Sequence, residues 1–330
     1  RALEPVLGEI LRTAPDAVRV AAARTAGQIG LKEGAPALLE LVSNRQVAAR
    51  VRIAGLHTLV TLKADQAVEA VKLALADGDA DVREAATELQ ADVPHGEDTV
   101  SHLATTLDTG TIGERQAALA ALGSMTSAAA DELLGQWLDK LRVGQVPKEM
   151  QLDVIEAAEK RATPALKEKL EKYQAQQPKS DDLTGYRDLL YGGNPAAGRT
   201  VFFDRPEASC VRCHKIKGQG GDVGPDLSTV GSRQTRDYIL ESILYPNKQI
   251  ASGFENVIVT MQDGTSYAGV VKADTANELV INSPEDGVLH LKKSQIQSRE
   301  KGLSAMPEGM ANILSKDDLR NLVAFLSGLK

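Results

Sequence analysis

The segment Cys210-Val211-Arg212-Cys213-His214 contains the only two cysteines of this 330-residue chain. Two cysteines are too few for a disulfide framework, and a structural zinc site made of four cysteines would lack its second pair. Any chemistry of Cys210 and Cys213 therefore involves a neighbour of another type. The imidazole of His214, the next residue in the chain, is the nearest candidate.

The spacing C-x-x-C-H predicts the covalent attachment of one haem c with its iron. Two thiols three positions apart can form thioethers with the two vinyl groups of one porphyrin, and the adjacent His214 then becomes the proximal iron ligand. The alternative is a thiol redox pair, which would lie at the start of a helix after a strand in a βαβ unit. No such pattern flanks the two cysteines, so the sequence favours haem.

The segments around the motif support this interpretation. A helix with a capping Asn and an N-terminal Pro precedes it, and a glycine-rich loop that ends in Gly-Pro follows it. An amphipathic helix, a Met-Pro pair and a last helix with capping-box spacing come next. These features are Asn194-Pro195, Gly224-Pro225, residues 234–244, Met306-Pro307, and Ser315 with Asp318. Small monohaem cytochromes c have their elements in this order.

Residues from about 254 to 300 change to a period of two, which is typical of strands. Asp263-Gly264 separates two such runs and is a strong hairpin signal. The sequence predicts four or five short strands that form a small antiparallel sheet or open barrel. Small cytochromes c do without this insertion, so we expect it either to cover the haem edge or to present a surface to a partner.

The first half of the chain repeats with a period in the low thirties. Val-Arg pairs recur, small residues that allow close helix packing follow each of them, and a second apolar helix pattern comes next. Two helices per unit at this period predict a stacked α-solenoid. The recurring positions are Val18-Arg19, Val51-Arg52 and Val82-Arg83, with a looser copy at Arg115. We interpret these arginines as links between one repeat and the next.

The repeats resemble HEAT repeats, in which a short Asp-x-x-Val-Arg segment opens the second helix. The segment Asp79-Ala80-Asp81-Val82-Arg83 matches this pattern best. The polar residues 174–182 then break the periodicity, and nearly all Phe and Tyr residues lie after them. We therefore expect a mainly α protein of two domains, with HEAT-like repeats over 1–175 and a cytochrome c domain with its β insertion over 183–330.

Residues from about 183 to 330 resemble the C-terminal haem-binding domain of the C-x-x-C-H proteins of planctomycetes and verrucomicrobia. In that family the domain commonly follows HEAT-like repeats, and often a β-propeller resembling soluble sugar dehydrogenases, which here would lie before Arg1. The matching segments are Gly192-Gly193-Asn194-Pro195 with Gly198-Arg199, Cys210 to His214, Gly224-Pro225-Asp226-Leu227-Ser228, Ser304 to Gly309, and Leu319 to Leu326.

This resemblance implies a set of residues that hold one haem c. Cys210 and Cys213 form the thioethers, and His214 and Met306 are the axial iron ligands. The backbone carbonyl of Pro225 accepts from the outer nitrogen of His214 and fixes the orientation of its ring.

The residues alone leave the sixth ligand open. Met306 precedes a proline, as in cytochromes c, but Met310 also lies between the strand pattern and the last helix. A methionine can equally be a core residue. His290, which lies in an alternating strand pattern, and an open iron site are further alternatives.

An iron whose six positions are filled has no free site for oxygen or peroxide, so electron transfer is the expected function. We expect a relay from a dehydrogenase to a downstream acceptor, with the helical repeats as scaffold or docking surface. Whether the chain is itself an enzyme stays open. The alternatives are a haem enzyme or gas sensor in which Met306 is displaced or never bound, and a protein-interaction scaffold in which the haem is secondary.

Composition and charge argue against other classes of function. The net charge is −7 and both halves hold more acidic than basic residues, which argues against a nucleic-acid partner. No segment approaches the roughly 18–20 consecutive apolar residues of a membrane span. Because covalent haem c matures outside the bacterial cytoplasm, we expect a periplasmic or otherwise extracytoplasmic location.

Overall fold

The structure is a computed structural model, and it divides the chain into two compact units, residues 1–177 and residues 178–330. Of the polar segment over 174–182, residues 178–181 lie outside the described residues. No helix among the described residues combines the length and the apolar character needed to cross a membrane. The structure describes residues 4–94, 96, 98–177, 182–283 and 285–330.

The first unit is a stack of α-helices in two rows. The even-numbered helices form one row, in which α2 packs against α4, α4 against α6, α6 against α8 and α8 against α10, and most odd-numbered helices of this unit pack against one another in a second row. This arrangement is the α-solenoid that the period predicts, and the repeated Val-Arg pairs lie in the even-numbered row. The helices are α1 (Leu7–Thr13), α2 (Asp16–Gln28), α3 (Ala35–Ser43), α4 (Ala49–Thr61), α5 (Ala67–Leu75), α6 (Ala80–Leu89), α7 (Asp98–Thr109), α8 (Ile112–Ser124), α9 (Ala128–Arg142), α10 (Gln151–Arg161) and α11 (Pro164–Gln176), with 3-10 turns at Lys32–Gly34 and Lys148–Met150.

Two of the repeated arginines connect neighbouring repeats, as the sequence predicts. Arg52 of α4 is buried, and its Nη2 donates to Oδ1 of the buried Asp77, before α6, at 2.9 Å. Nε of Arg83 in α6 donates to Oε1 of Glu114 in α8 at 2.6 Å. The other two arginines of the series differ, because each donates to a backbone carbonyl of the helix just before its own. They connect helices within a repeat.

We expect Asp77→Asn to lower the free energy of unfolding by about 3–5 kcal/mol, because it leaves the buried guanidinium of Arg52 without its counter-charge. Chemical denaturation followed by circular dichroism measures this loss. Glu168→Gln is the control, since Glu168 pairs with Lys172 at 2.6 Å, both side chains are exposed, and the loss of this pair should have little effect on stability. Equal effects of the two variants would contradict a role for the buried pair.

The second unit combines short helices with two antiparallel sheets. The last helix, α17, packs against α12, α14 and α15 and so connects the helices of the unit. The helices are α12 (Pro195–Asp204), α13 (Cys210–Cys213), α14 (Val230–Arg233), α15 (Arg236–Leu244), α16 (Met310–Ile313) and α17 (Lys316–Ser327), with 3-10 turns at Arg187–Leu189 and Lys293–Gln295. The strands are β1 (Lys215–Ile216), β2 (Gln219–Gly220), β3 (Asn256–Met261), β4 (Ser266–Asp274), β5 (Glu278–Ser283), β6 (Gly287–Lys292) and β7 (Ile296–Lys301).

Local capping explains where the main helices of this unit begin. The side chain of Asn194 accepts from two amides in the first turn of α12, and Ser315 with Asp318 forms the capping box of α17, which confirms both predictions. Helix α15 begins after Thr235, whose hydroxyl accepts from the amide of Tyr238 at 3.2 Å. The predicted start at residue 234 was therefore too early.

Helices α12 and α17 cross at very short distance because a glycine lies at the crossing. A Cβ atom on Gly198 would lie 1.9 Å from the carbonyl oxygen of Asn321 and 2.8 Å from Cβ of Phe325. The rings of Phe202 and Phe325 meet next to this point, with centroids 6.0 Å apart. Phe202 is almost fully buried, so the crossing is the centre of the helical core of this unit.

The β insertion is one five-stranded antiparallel sheet in the order β6-β5-β4-β3-β7. The turn after β3 contains Asp263-Gly264, where Gly264 has φ +87° and Oδ1 of Asp263 accepts from the amide of Thr265 at 2.9 Å. Alternate residues such as Val259, Leu279 and Ile281 are buried on one face. The prediction of a small antiparallel sheet is confirmed.

Candidate haem site

One pocket of the second unit contains all five site residues that the sequence analysis names. Its lining includes Cys210, Cys213, His214, Pro225 and Met306. These residues come from α13, from the loop after β2 and from the irregular segment before α16. The fold thus brings together residues that lie almost one hundred positions apart in the chain.

The two cysteines lie one turn apart in the short helix α13, and both thiols are free. Ser209 precedes this helix with φ +49°, in the left-handed region, and turns the chain into it. Burial raises the pKa of the Cys210 thiol, which keeps the thiol protonated near neutral pH. Both cysteines line the same pocket, as thioether formation with one planar group requires.

His214 follows directly, and its ring is held in one orientation. Nδ1 of His214 lies 2.9 Å from the backbone carbonyl oxygen of Pro225, which can only accept, so Nδ1 carries the hydrogen. Burial lowers the pKa of His214, although the hydrogen bond to Pro225 acts in the opposite direction. The neutral ring that results keeps its lone pair on Nε2, which is the form a metal ligand needs.

The glycine-rich loop gives the motif the space it needs. A Cβ on Gly224 would lie 2.7 Å from the His214 ring, and a Cβ on Gly221 would lie 2.0 Å from the carbonyl oxygen of Arg212. The amide of Gly224 donates to the carbonyl of Cys213 at 2.8 Å. Any larger residue at position 224 would therefore push against the imidazole.

Two of the three side chains considered for the sixth position line the pocket. Met306 is half-buried and Met310 is buried, and both border the pocket. His290 lies on β6, is exposed, and its Nδ1 lies 3.3 Å from Oε1 of Glu278. It is not among the lining residues, whereas both methionines are.

The β insertion forms part of the pocket wall. Val270 of β4 and Phe254, just before β3, both border the pocket. Nζ of Lys272 lies 5.2 Å from the centre of the Phe254 ring and 3.4 Å from the carbonyl oxygen of Asp222, in the glycine-rich loop. These contacts connect the five-stranded sheet to the glycine-rich loop that follows the C-x-x-C-H motif. They favour the expectation that the sheet covers the haem edge over the expectation that it presents a surface to a partner.

The chemistry of the lining suits a haem. Apolar side chains from α12, α15 and α17 complete the walls, including Phe202, Ile239 and Leu322. A mostly apolar pocket whose lining includes two cysteines, an oriented neutral histidine and two methionines fits a covalently attached iron porphyrin.

Several lining residues were missed by sequence reasoning. Phe254 and Val270 carry only an ordinary strand pattern, and nothing local indicates that they face a cofactor. Asn247, which does not itself line the pocket, was also missed, although its side chain bonds to both sides of the segment that carries Met306. A polar residue directly after Tyr245-Pro246, where the helix ends, was the one available signal.

Two family models match the chain, one in each unit. Residues 4–91 match the model of HEAT repeats, and residues 195–279 match the model of cytochrome c. The second match contains Cys210 to His214, whereas Met306 lies beyond its end. No curated protein matches this chain.

The protein is therefore mainly helical, with N-terminal HEAT repeats, a cytochrome c domain and small antiparallel sheets. The cytochrome c domain implies covalently bound haem and supports haem-based electron transfer. The HEAT repeats fit a scaffold role.

Proposed function

We propose that this chain carries one covalently attached haem c and transfers single electrons between partner proteins. Cys210 and Cys213 form the thioethers, His214 is the proximal ligand and Met306 is the sixth ligand. The observation that carries the proposal is the shared pocket, whose lining includes both cysteines, the oriented His214 and Met306 among mostly apolar residues. When bound, the haem supplies an iron centre that changes charge by one electron.

The residues around the haem ligands have separate roles in this proposal. Pro225 holds the proton on Nδ1 of His214, so that Nε2 stays available as a ligand. Gly224 leaves room for the ring. Val270 and Phe254 exclude water from one side of the site, and a drier site favours the iron state of lower charge.

The partners follow from the same chemistry. The proposed donor is a dehydrogenase and the proposed acceptor is a downstream electron carrier, as in the planctomycete and verrucomicrobial C-x-x-C-H proteins that residues 183–330 resemble. The HEAT repeats are proposed to hold one of these proteins. Because covalent haem c is installed outside the bacterial cytoplasm, we place the protein in the periplasm or an equivalent compartment.

The test is a visible spectrum of the full chain, made in a host that installs haem c, before and after reduction. We expect sharp c-type bands on reduction, and a spectrum in alkaline pyridine that corresponds to one haem with two thioethers per chain. Carbon monoxide is then added to the reduced protein. We expect slow or incomplete binding, because Met306 must first leave the iron.

Three results would count against the proposal. A protein mass equal to that of the polypeptide alone would show that no haem is covalently attached. A haem whose absorption bands do not shift when a reductant is added would contradict a function in electron transfer. Immediate carbon monoxide binding would favour a gas sensor or a haem enzyme with an open site.

A further inference from the structure

The segment that carries Met306 has no regular structure of its own. It runs from the end of β7 at Lys301 to the start of α16 at Met310. At its beginning, the amide of Gly302 donates to the carbonyl of Asn256 at 2.8 Å. Such a segment keeps a ligand in place only if bonds to rigid elements fix it near the ligand.

Asn247 makes two such bonds, one on each side of Met306. Its Oδ1 accepts from the amide of Ser304 at 2.7 Å, and its Nδ2 donates to Oε1 of Glu308. Ser304 and Glu308 stand two residues before and two residues after Met306. The hydroxyl of Ser304 also accepts from the amide of Met306 at 3.2 Å, which extends the bonded chain to the methionine itself.

Asn247 is itself fixed to a wall of the pocket. It follows α15, whose residues Tyr238, Ile239 and Ile243 line the pocket, and α15 packs against α17. The amide of Tyr245 closes the helix by donating to the carbonyl of Glu241 at 2.7 Å. One carboxamide therefore connects the irregular segment to the turn that directly follows a helix of the site.

We propose that Asn247 is a positioning residue that holds Met306 in the pocket and so sets how often the sixth position is open. This inference rests on the proposed function, because it takes Met306 as the ligand. A primary amide suits the task since it accepts at one end and donates at the other. A carboxylate at position 247 would still accept from Ser304 but would face the carboxylate of Glu308.

Because the amide of Asn247 accepts on one side and donates on the other, three variants can test its role. In Asn247→Asp, the bond to Glu308 is replaced by repulsion, and the Met306 segment should open more often. Glu308→Gln alone keeps a neutral acceptor for Nδ2 of Asn247 and should stay closer to the wild type than Asn247→Asp does. In the double variant Asn247→Asp/Glu308→Gln, the amide and the carboxylate exchange sides, so both hydrogen bonds can form again.

The readout is binding of added imidazole to the oxidised holoprotein, followed by loss of the long-wavelength absorption band of the iron–thioether bond. Apparent affinity for an incoming ligand is proportional to the open fraction. Asn247→Asp loses a hydrogen bond to a charged group, which should raise the open fraction by about a factor of ten. We therefore expect this variant to bind imidazole on the order of tenfold more tightly than the wild type. The double variant should return close to the wild-type affinity.

Asp263→Ala is the control for general destabilisation, because Asp263 makes a similar turn bond in the β3–β4 hairpin and does not line the pocket. It should leave imidazole affinity unchanged. If it raises the affinity as much as Asn247→Asp does, or if the double variant is not restored, the inference is wrong. If the wild-type protein lacks the iron–thioether band, Met306 ligation and the inference both fail. If the band is present in the wild type and lost in Met306→Ala, but Asn247→Asp changes nothing, the inference alone fails.

Discussion

In the variant Cys210→Ala/Cys213→Ala, made in a host that installs haem c, we expect a protein mass equal to that of the polypeptide alone. Both cysteines line the pocket, and the sequence holds no other cysteine that could replace them. Without a thioether, only the bond from His214 to the iron and apolar contacts would retain the haem. Denaturation breaks both, so haem staining of a denaturing gel should be lost completely.

The single variants separate the two bonds. Cys210→Ala or Cys213→Ala leaves one thioether, and the unreacted vinyl group stays conjugated with the porphyrin. We therefore expect one haem per chain with absorption bands at longer wavelength than in the wild type. Arg212→Ala is the matched control, because Arg212 lies between the cysteines, is exposed and does not line the pocket. Covalent haem on the double variant would contradict the assignment of both cysteines.

Much of this fold could be predicted from short sequence patterns whose residues interact with near neighbours in the chain. Asn194 and Ser315 cap helices because their side chains reach amides within the first helical turn, which spacing alone reveals. Gly264 takes a positive φ in a two-stranded hairpin, and Asp-Gly encodes that turn locally. The solenoid was predictable for a similar reason. Each repeat packs against its neighbours in the sequence, so the repeat spacing can be recognised from the sequence alone.

Features that depend on distant residues could not be predicted. Asn247 and Ser304 are 57 positions apart, so neither one indicates the bond between them. The sequence shows a glycine-rich loop, but only the structure shows that Gly224 must stay small because the ring of His214 lies against it. The start of α15 was misplaced because residue 234 continues the amphipathic pattern, whereas the cap at Thr235 decides where the helix begins.

We expect Gly198→Ala to lower the free energy of unfolding of the second unit by about 3 kcal/mol or more, the upper end of the range for overpacking. The new Cβ would lie 1.9 Å from the carbonyl oxygen and 2.5 Å from the carbonyl carbon of Asn321. Both are backbone atoms inside α17, so no side-chain rotation relieves the clash and the two helices must separate. Phe202 on α12 and Leu322 on α17 line the pocket, so the separation also widens the haem site.

Gly135→Ala provides the matched control, because Gly135 is also a helical glycine, in α9, and its Cβ would meet only the flexible side chain of Lys169, at 3.6 Å. Removing a glycine from a helix without a clash should stabilise it by about 0.5–1 kcal/mol. The two variants are therefore expected to change the stability of their own units in opposite directions. Denaturant titration followed by circular dichroism would measure both changes, and haem absorbance would follow the second unit alone. A stabilised Gly198→Ala protein would show that α12 and α17 do not cross at this distance, and the wall of the haem pocket would have to be placed differently.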